Sequence, residues 1–340
     1  MRILLIVLAS AFLWSCDDKP ADKPAVEPKA QVAPELEELN ARIAEDPNDI
    51  QAYIDRAKYY KSIFDFESAE GDLSRGFRID STNAELYNIL GDIQYFKEDV
   101  KSARDNFDLC ISYDSLNTEC LLKKAEIEML LRNYGPAVTL INQALRVDQF
   151  IPQAYFMKGM MYKETGDSAL SASSFHTTIE LDPDHFDAYI QLGLLYAGAG
   201  DDLALEFYNS AIEKQPNSTE ARYNKAMFLQ EHSNGDVGKL QLALQTYDQI
   251  HAIDPSMAAS SYNKGYIYKE LLEYPDSALI EFSLAIDKYP AYHQAYYSRG
   301  ITFEMMGDLQ SALKDLDQAL LIQPDYTPAA LAKGRVLDQM

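Results

Sequence analysis

An all-α array of antiparallel helix pairs is what the residues of this chain predict, and three observations carry that reading. A small residue returns at a near-constant interval: Ala57, Gly91, Ala125, Gly159, Gly193, Ala226, Gly265, Gly300 and Gly334, with gaps of 34, 34, 34, 34, 33, 39, 35 and 34. Around it sits an apolar helical stripe at i, i+4 and i+7. A bulky side chain stands four residues earlier (Tyr53, Tyr87, Leu121, Tyr155, Tyr189, Tyr296) and an aromatic often three later (Tyr60, Tyr162, Tyr196, Tyr268, Phe303). Later in each repeat, Ala69, Ala103, Ala137, Ala204, Ala243, Ala278 and Ala312 are followed four on by Leu73, Phe107, Ile141, Tyr208, Tyr247, Phe282 and Leu316. A second amphipathic helix therefore follows the first. Gly and Ala set how closely the two helices of a pair cross, and the aromatics fill the space beside them.

Composition agrees with a folded array. The 340 residues suit either two ordinary domains or one extended stack that needs no single large core. At 47% hydrophobic and 24% charged, the chain is neither a disordered polymer nor a membrane-spanning body. Its formal net charge of −23 lies almost wholly after residue 33. That charge argues against a nucleic-acid surface and favours partners with basic patches.

In chain order, Arg2, the apolar run Ile3 to Trp14 and Ser15 read as a signal peptide over 1–15, since twelve residues are too few to cross a bilayer permanently. Residues 16–33, with Pro20, Pro24 and Pro28 among Ala and Lys, read as an extended tether. Such a tether reaches on the order of 50 Å at about 3.1 Å per residue. A capping helix is expected over 34–48, eight repeats over 49–326 and a closing helix over 327–340. Pro183, Pro216, Pro255, Pro290 and Pro324 end second helices, and Gly166-Asp167, Gly200-Asp201 and Gly307-Asp308 mark turns within repeats. The pattern thins in the third repeat, where Glu128 replaces an aromatic and Gln149 a proline, and in the fourth, where Ser171 and Thr178 replace alanines. The sixth carries about five extra residues, read as a loop within Glu231 to Lys239.

The three cysteines and five histidines do not build a site. Cys110 and Cys120 are too few and too far from histidine for zinc, and read as small buried residues where helices cross; an oxidising compartment would permit a bond between them. The histidines are scattered, and no nucleophile motif or phosphate-cradling loop is present. No enzyme activity, metal or cofactor is expected, and small-molecule ligands are not expected either.

The interval of 34 with its small, aromatic, small and proline landmarks resembles the tetratricopeptide repeat. That resemblance implies a right-handed superhelical solenoid whose concave groove, lined by the first helices, holds peptides or partner helices. The groove places lie three before and one after the small residue. They give a partner-binding row of Leu122, Phe156, Met160, Ile190, Leu194, Tyr223, Met227, Tyr262, Tyr266, Tyr297 and Ile301, with Glu126 the polar exception. Contiguous apolar area of this kind marks an interaction site. The first two repeats offer a more polar set, Ile54, Lys58, Asn88 and Asp92. Leu13-Trp14-Ser15-Cys16 resembles a bacterial lipobox, although Trp14 stands where a small residue is usual, and it implies lipid on Cys16. Asp17-Asp18 after that cysteine resembles a surface-export signal of Bacteroidota lipoproteins, whereas in enterobacteria an aspartate there resembles an inner-membrane retention signal. The expectation is an outer-membrane lipoprotein, periplasmic or surface-facing, that scaffolds envelope proteins or peptides. A second reading is glycan capture on Tyr262, Tyr266 and Tyr297.

Overall fold

The computed structural model describes residues 33–340; the expected leader, Cys16 and the tether up to residue 32 lie outside them. Among the described residues there are eighteen α-helices, one π-helical turn and no strand. Helix α1 (Pro34–Glu45) precedes the pairs α2 (Ile50–Ser62) and α3 (Phe66–Ile79), α4 (Ala84–Phe96) and α5 (Val100–Tyr113), and α6 (Thr118–Leu130) and α7 (Tyr134–Val147). The next pairs are α8 (Pro152–Glu164) and α9 (Ser168–Leu181), α10 (Phe186–Gly198) and α11 (Leu203–Lys214), and α12 (Thr219–Glu231) and α13 (Val237–Ile253). Then come α14 (Ala258–Tyr266) with α15 (Pro275–Lys288), α16 (His293–Met305) with α17 (Leu309–Ile322), and α18 (Thr327–Gln339). No helix among the described residues is long and apolar enough to cross a membrane. The chain divides into two compact units, one ending at Ile89 and the other running Leu90–Met340.

In the first unit, polar side chains fix the starts of α2 and α3. Asp49 accepts from the Ala52 amide at 3.0 Å and Asp65 from the Ser68 amide at 3.1 Å, so each satisfies a backbone donor that the helix itself leaves unpaired. Leu39, Tyr53, Ile54, Ala57, Ala69 and Leu73 form the buried core. Beside it, Arg56 grips the buried carboxylate of Asp72 with two bonds, at 2.8 and 2.6 Å.

In the second unit each pair packs internally and against the next, in chain order. At four crossings the same contact sets the approach. A Cβ built on Gly91, Gly159, Gly193 or Gly265 would fall closer than 3 Å to ring carbons of Phe107, Phe175, Tyr208 or Phe282, all fully or almost fully buried. The second-helix ring therefore occupies the volume that the first-helix residue vacates. Where the first helix has Ala125, the partner is the smaller Ile141.

The turns within repeats share a left-handed residue just before the second helix. Gly166, Gly200 and Gly307 take φ of 82°, 70° and 82° there, which costs a glycine little. Glu98, Arg132 and Glu273 hold φ of 61°, 60° and 58° at the corresponding places, a conformation that costs an L-residue roughly 1–2 kcal/mol.

Irregular spacing is absorbed locally. The five extra residues of the sixth repeat, expected as a loop, are shared: the turn is 232–236, and α13 runs 17 residues where α9 runs 14. The single extra residue behind the gap of 35 becomes the π-helical turn Ile267–Leu271 that continues α14. Glu128, which breaks the aromatic pattern, is buried at 4% exposure and bonded by Asn133 at 2.8 Å and Arg104 at 3.4 Å. One reading is corrected: Cys110 at the end of α5 and Cys120 at the start of α6, expected as separate core residues, are joined in a disulfide across a Cα separation of 6.4 Å. Both are buried, and the turn 114–117 brings the helix ends within bonding range.

Two substitutions test these packing rules by urea unfolding. Gly193→Ala is expected to cost about 1–3 kcal/mol, whereas Gly71→Ala, with nothing within 4 Å of its added carbon, is expected to stabilise α3 by about 0.5–1 kcal/mol. Equal effects at the two sites would remove the crossing argument. Glu98→Gly is expected to raise stability by about 1 kcal/mol, and an unchanged midpoint would show that the turn is not strained.

Candidate partner-binding groove

First helices of successive repeats lie side by side from the second repeat onward. Lys123 on α6 reaches Asp92 on α4 at 2.7 Å, Lys163 on α8 donates to Gln191 on α10 at 2.6 Å, and Arg335 on α18 forks onto Glu304 of α16 at 2.7 Å. With α6 packed on α8, α10 on α12, and side-chain contacts from α14 to α12 and α16, these bridges complete one face of first helices, and the eleven predicted residues sit along it to unequal depth. Leu194 and Tyr266 are exposed, at 36% and 39%. Leu122, Phe156, Met160, Tyr223, Met227, Tyr262, Tyr297 and Ile301 are half-buried. Ile190 is 2% exposed, inside the cluster of Ala204, Tyr208 and Ala221, so its side chain packs the core rather than lining a groove.

The aromatics of the row are held by neighbours from the following repeat. Phe156 lies 4.7 Å from the His185 ring, Tyr262 lies 5.0 Å from Tyr292, and Tyr297 meets Tyr326 edge-on at 5.4 Å. In each case the partner occupies the N-cap place of the next first helix. Polar contacts join the same surface: the Asn263 amide donates to the Tyr223 hydroxyl at 3.0 Å and to the Met227 sulfur at 3.3 Å, and Tyr262 and Ser298 hydroxyls lie 3.5 Å apart. Burial, with Tyr262 and Tyr223 nearby, pushes the Tyr292 hydroxyl well above its ordinary value. Burial likewise raises Tyr208 to about 12, with Glu231 adding to the effect.

Tyr292, Tyr326 and His185 were missed by a reading centred on the small residue. Their signal was present eight residues before it. That place holds a capping Asp49, Asn117 or Ser218 in some repeats, each accepting from a backbone amide. It holds Ile151, Met257, Tyr292 or Tyr326 in others, with no side-chain cap. Giving up a cap costs about 1 kcal/mol, and here an apolar or ring contact with the preceding repeat stands in its place.

No group of three or more His, Cys, Asp or Glu side chains that could hold a metal ion occurs among the described residues. The histidines serve the framework: His185 Nδ1 accepts from the Ala188 amide at 3.2 Å, and His176 packs on Tyr196 and Phe207.

Comparison with known proteins agrees with this geometry. Residues 156–219 and 293–326 match family models described as tetratricopeptide repeat. The structure of pilF from Pseudomonas aeruginosa superposes with a TM-score of 0.53 at 16% identity, over 68% of this chain and 98% of that one. A tetratricopeptide repeat protein from Parabacteroides merdae gives 0.50 at 16% identity, over 75% and 98%. Among curated proteins, the DnaJ protein P58IPK homolog of Arabidopsis thaliana is 22% identical over 303 residues, 84% of this chain. The chain spans only 57% of that relative's length. The helix pairs and their small-residue crossing share the solenoid fold of these structures, and the two matched segments are tetratricopeptide repeats.

Tyr223→Phe is expected to cost about 0.5–1.5 kcal/mol, because it removes the hydroxyl acceptor of the Asn263 amide, which is 7% exposed, and leaves it the weaker Met227 sulfur. Tyr262→Phe, whose hydroxyl contact is long, is expected to be nearly neutral. Thermal unfolding of the two variants checks this, and the reverse order would show that the Tyr223–Asn263 bond does not hold the face together.

Proposed function

We propose that this protein is a non-enzymatic scaffold or assembly factor of the bacterial envelope, tethered by lipid on Cys16 and holding proteins or peptides along the face of its first helices. The observation that carries the reading is the row itself: apolar and aromatic side chains on six successive first helices stay partly open to solvent, with Leu194 and Tyr266 exposed. Large apolar side chains in an open row bury area readily against a partner and dominate such interfaces. The Cys110–Cys120 disulfide supports export, since such bonds persist in oxidising compartments. Cys16 and the acidic residues after it support a lipoprotein of Bacteroidota type in the outer membrane, facing the periplasm or the surface.

Glycan capture is less well supported. Sugar stacking needs free ring faces, and Tyr262 packs on both Phe282 and Tyr292 while Tyr297 meets Tyr326, which leaves Tyr266 alone of the three exposed.

The test uses the exposed positions, which carry little of the packing. Affinity capture with crosslinking from native membranes is expected to recover defined proteins with the wild type and to lose them with Leu194→Asp plus Tyr266→Ala, at unchanged helicity. Equal capture by both proteins would overturn the groove. Saturable retention of polysaccharide by the purified protein alone would favour the glycan reading instead.

A further inference from the structure

In seven of the nine recurrences the residue just before the small landmark is Lys or Arg, and these cations are served by carboxylates in a fixed register. Lys124, Lys264 and Lys333 pair with Asp108, Asp248 and Asp317, each sixteen residues earlier on the preceding second helix. Arg299 forks onto Asp315, sixteen residues later on its own second helix, at 2.7 and 2.8 Å. Lys264 also reaches Glu281 at 2.6 Å, at the same place once the π-helical turn is allowed for. Lys158 finds an amide oxygen, that of Asn142, at 3.4 Å.

Lys225 breaks the rule. The register offers it Asn209 on one side and Thr246 on the other, and the Thr246 hydroxyl is engaged by the Leu242 carbonyl at 2.7 Å. Among the described residues, no hydrogen bond or ion pair reaches Lys225. Burial, and then neighbouring Arg222, lower its hold on the proton. Lys264 shows what the missing acids do: burial alone would lower it too, but Asp248 and Glu281 hold it above its ordinary value. Arg222 lies one turn before Lys225 on the same helix face, where Tyr155, Tyr189 and Tyr296 stand in other repeats. Its Nη1 donates to the Ser218 carbonyl at 3.0 Å, while its Nε is enclosed without an acceptor, the one such side-chain atom among the described residues. The enclosed Nε shows that this chain gives the guanidinium no acid of its own, and the desolvated Lys225 ammonium beside it is unfavourable until an anion reaches it.

We propose that Arg222 and Lys225 form a carboxylate-binding site on the sixth repeat, filled by an acidic side chain of a docked protein segment. A carboxylate is the group that completes this register at Lys124, Lys264, Arg299 and Lys333, so the incoming residue replaces the acid that Asn209 and Thr246 do not provide. The site uses none of the groove residues and does not rest on the groove reading.

The experiment follows lysine ε-carbon shifts of the full folded chain by NMR at constant ionic strength. The probes are an acetylated, amidated peptide of alternating aspartate and glycine, and citrate. A saturable shift at Lys225, absent at Lys264 and tighter for the peptide, is the expected result. Tighter citrate binding would overturn the protein-segment assignment in favour of a free carboxylate. Asn209→Asp supplies the missing acid from within the chain and is expected to weaken both probes by at least about tenfold; Lys225→Gln is expected to abolish the response measured as peptide-induced stabilisation. No saturable shift at Lys225, an equal shift at Lys264, or undiminished binding by Asn209→Asp would each overturn the proposal.

Discussion

A helix crossing in which one partner has no side chain and the other has a ring is the contact on which this architecture depends. Gly159 against Phe175 and Gly193 against Tyr208 show the logic: the ring sits where a Cβ would be, so the two backbones approach closely and the aromatic is removed from water in the same step. Burying such a ring is worth roughly 1.5–3 kcal/mol, and repetition along the chain makes a continuous core without any central one. Stacking pairs of this kind also explains how a chain with a net charge of −23 stays folded, because no element has to draw distant acids together.

Around that contact the structure tolerates local irregularity. An added residue after Gly265 becomes a π-helical turn, and five added residues in the sixth repeat lengthen a helix and a turn together. Neither shifts the small-residue and ring pairing, since Gly265 still meets Phe282 and Ala226 and Tyr247 share one buried cluster. The strained turns at Glu98, Arg132 and Glu273 follow the same priority. The crossing dictates where the chain reverses, and the turn residue accepts an unfavourable conformation.

Between repeats the links are of two kinds. Apolar links run from a first-helix aromatic to the residue that begins the next first helix, as Tyr262 does with Tyr292. Ionic links run from a first-helix cation to an acid on the preceding second helix, as Lys264 does with Asp248, and the same cation also reaches Glu281 on its own second helix. The partly buried pairs of this set matter more than the exposed ones, because solvent screens an open ion pair to little net value. Within one repeat, Arg299 and Asp315 illustrate the costly case: the carboxylate is 3% exposed, so removing either partner would leave a buried charge.

Helix type, number of repeats and the crossing residues were legible in the sequence because each follows from a short-range rule: a 3.6-residue period, a recurring interval and a small residue beside an aromatic. The groove was legible only as a set of positions. Tertiary packing decided that Ile190 is core, that Tyr262 packs on Tyr292 and Tyr297 meets Tyr326 edge-on, and that Leu194 and Tyr266 remain open. It also decided that Cys110 and Cys120 are close enough to bond. Side-chain depth depends on what the next repeat presents some thirty residues away, and no local pattern carries that information; the register of acids and cations becomes meaningful only when stacking puts helices sixteen residues apart in contact.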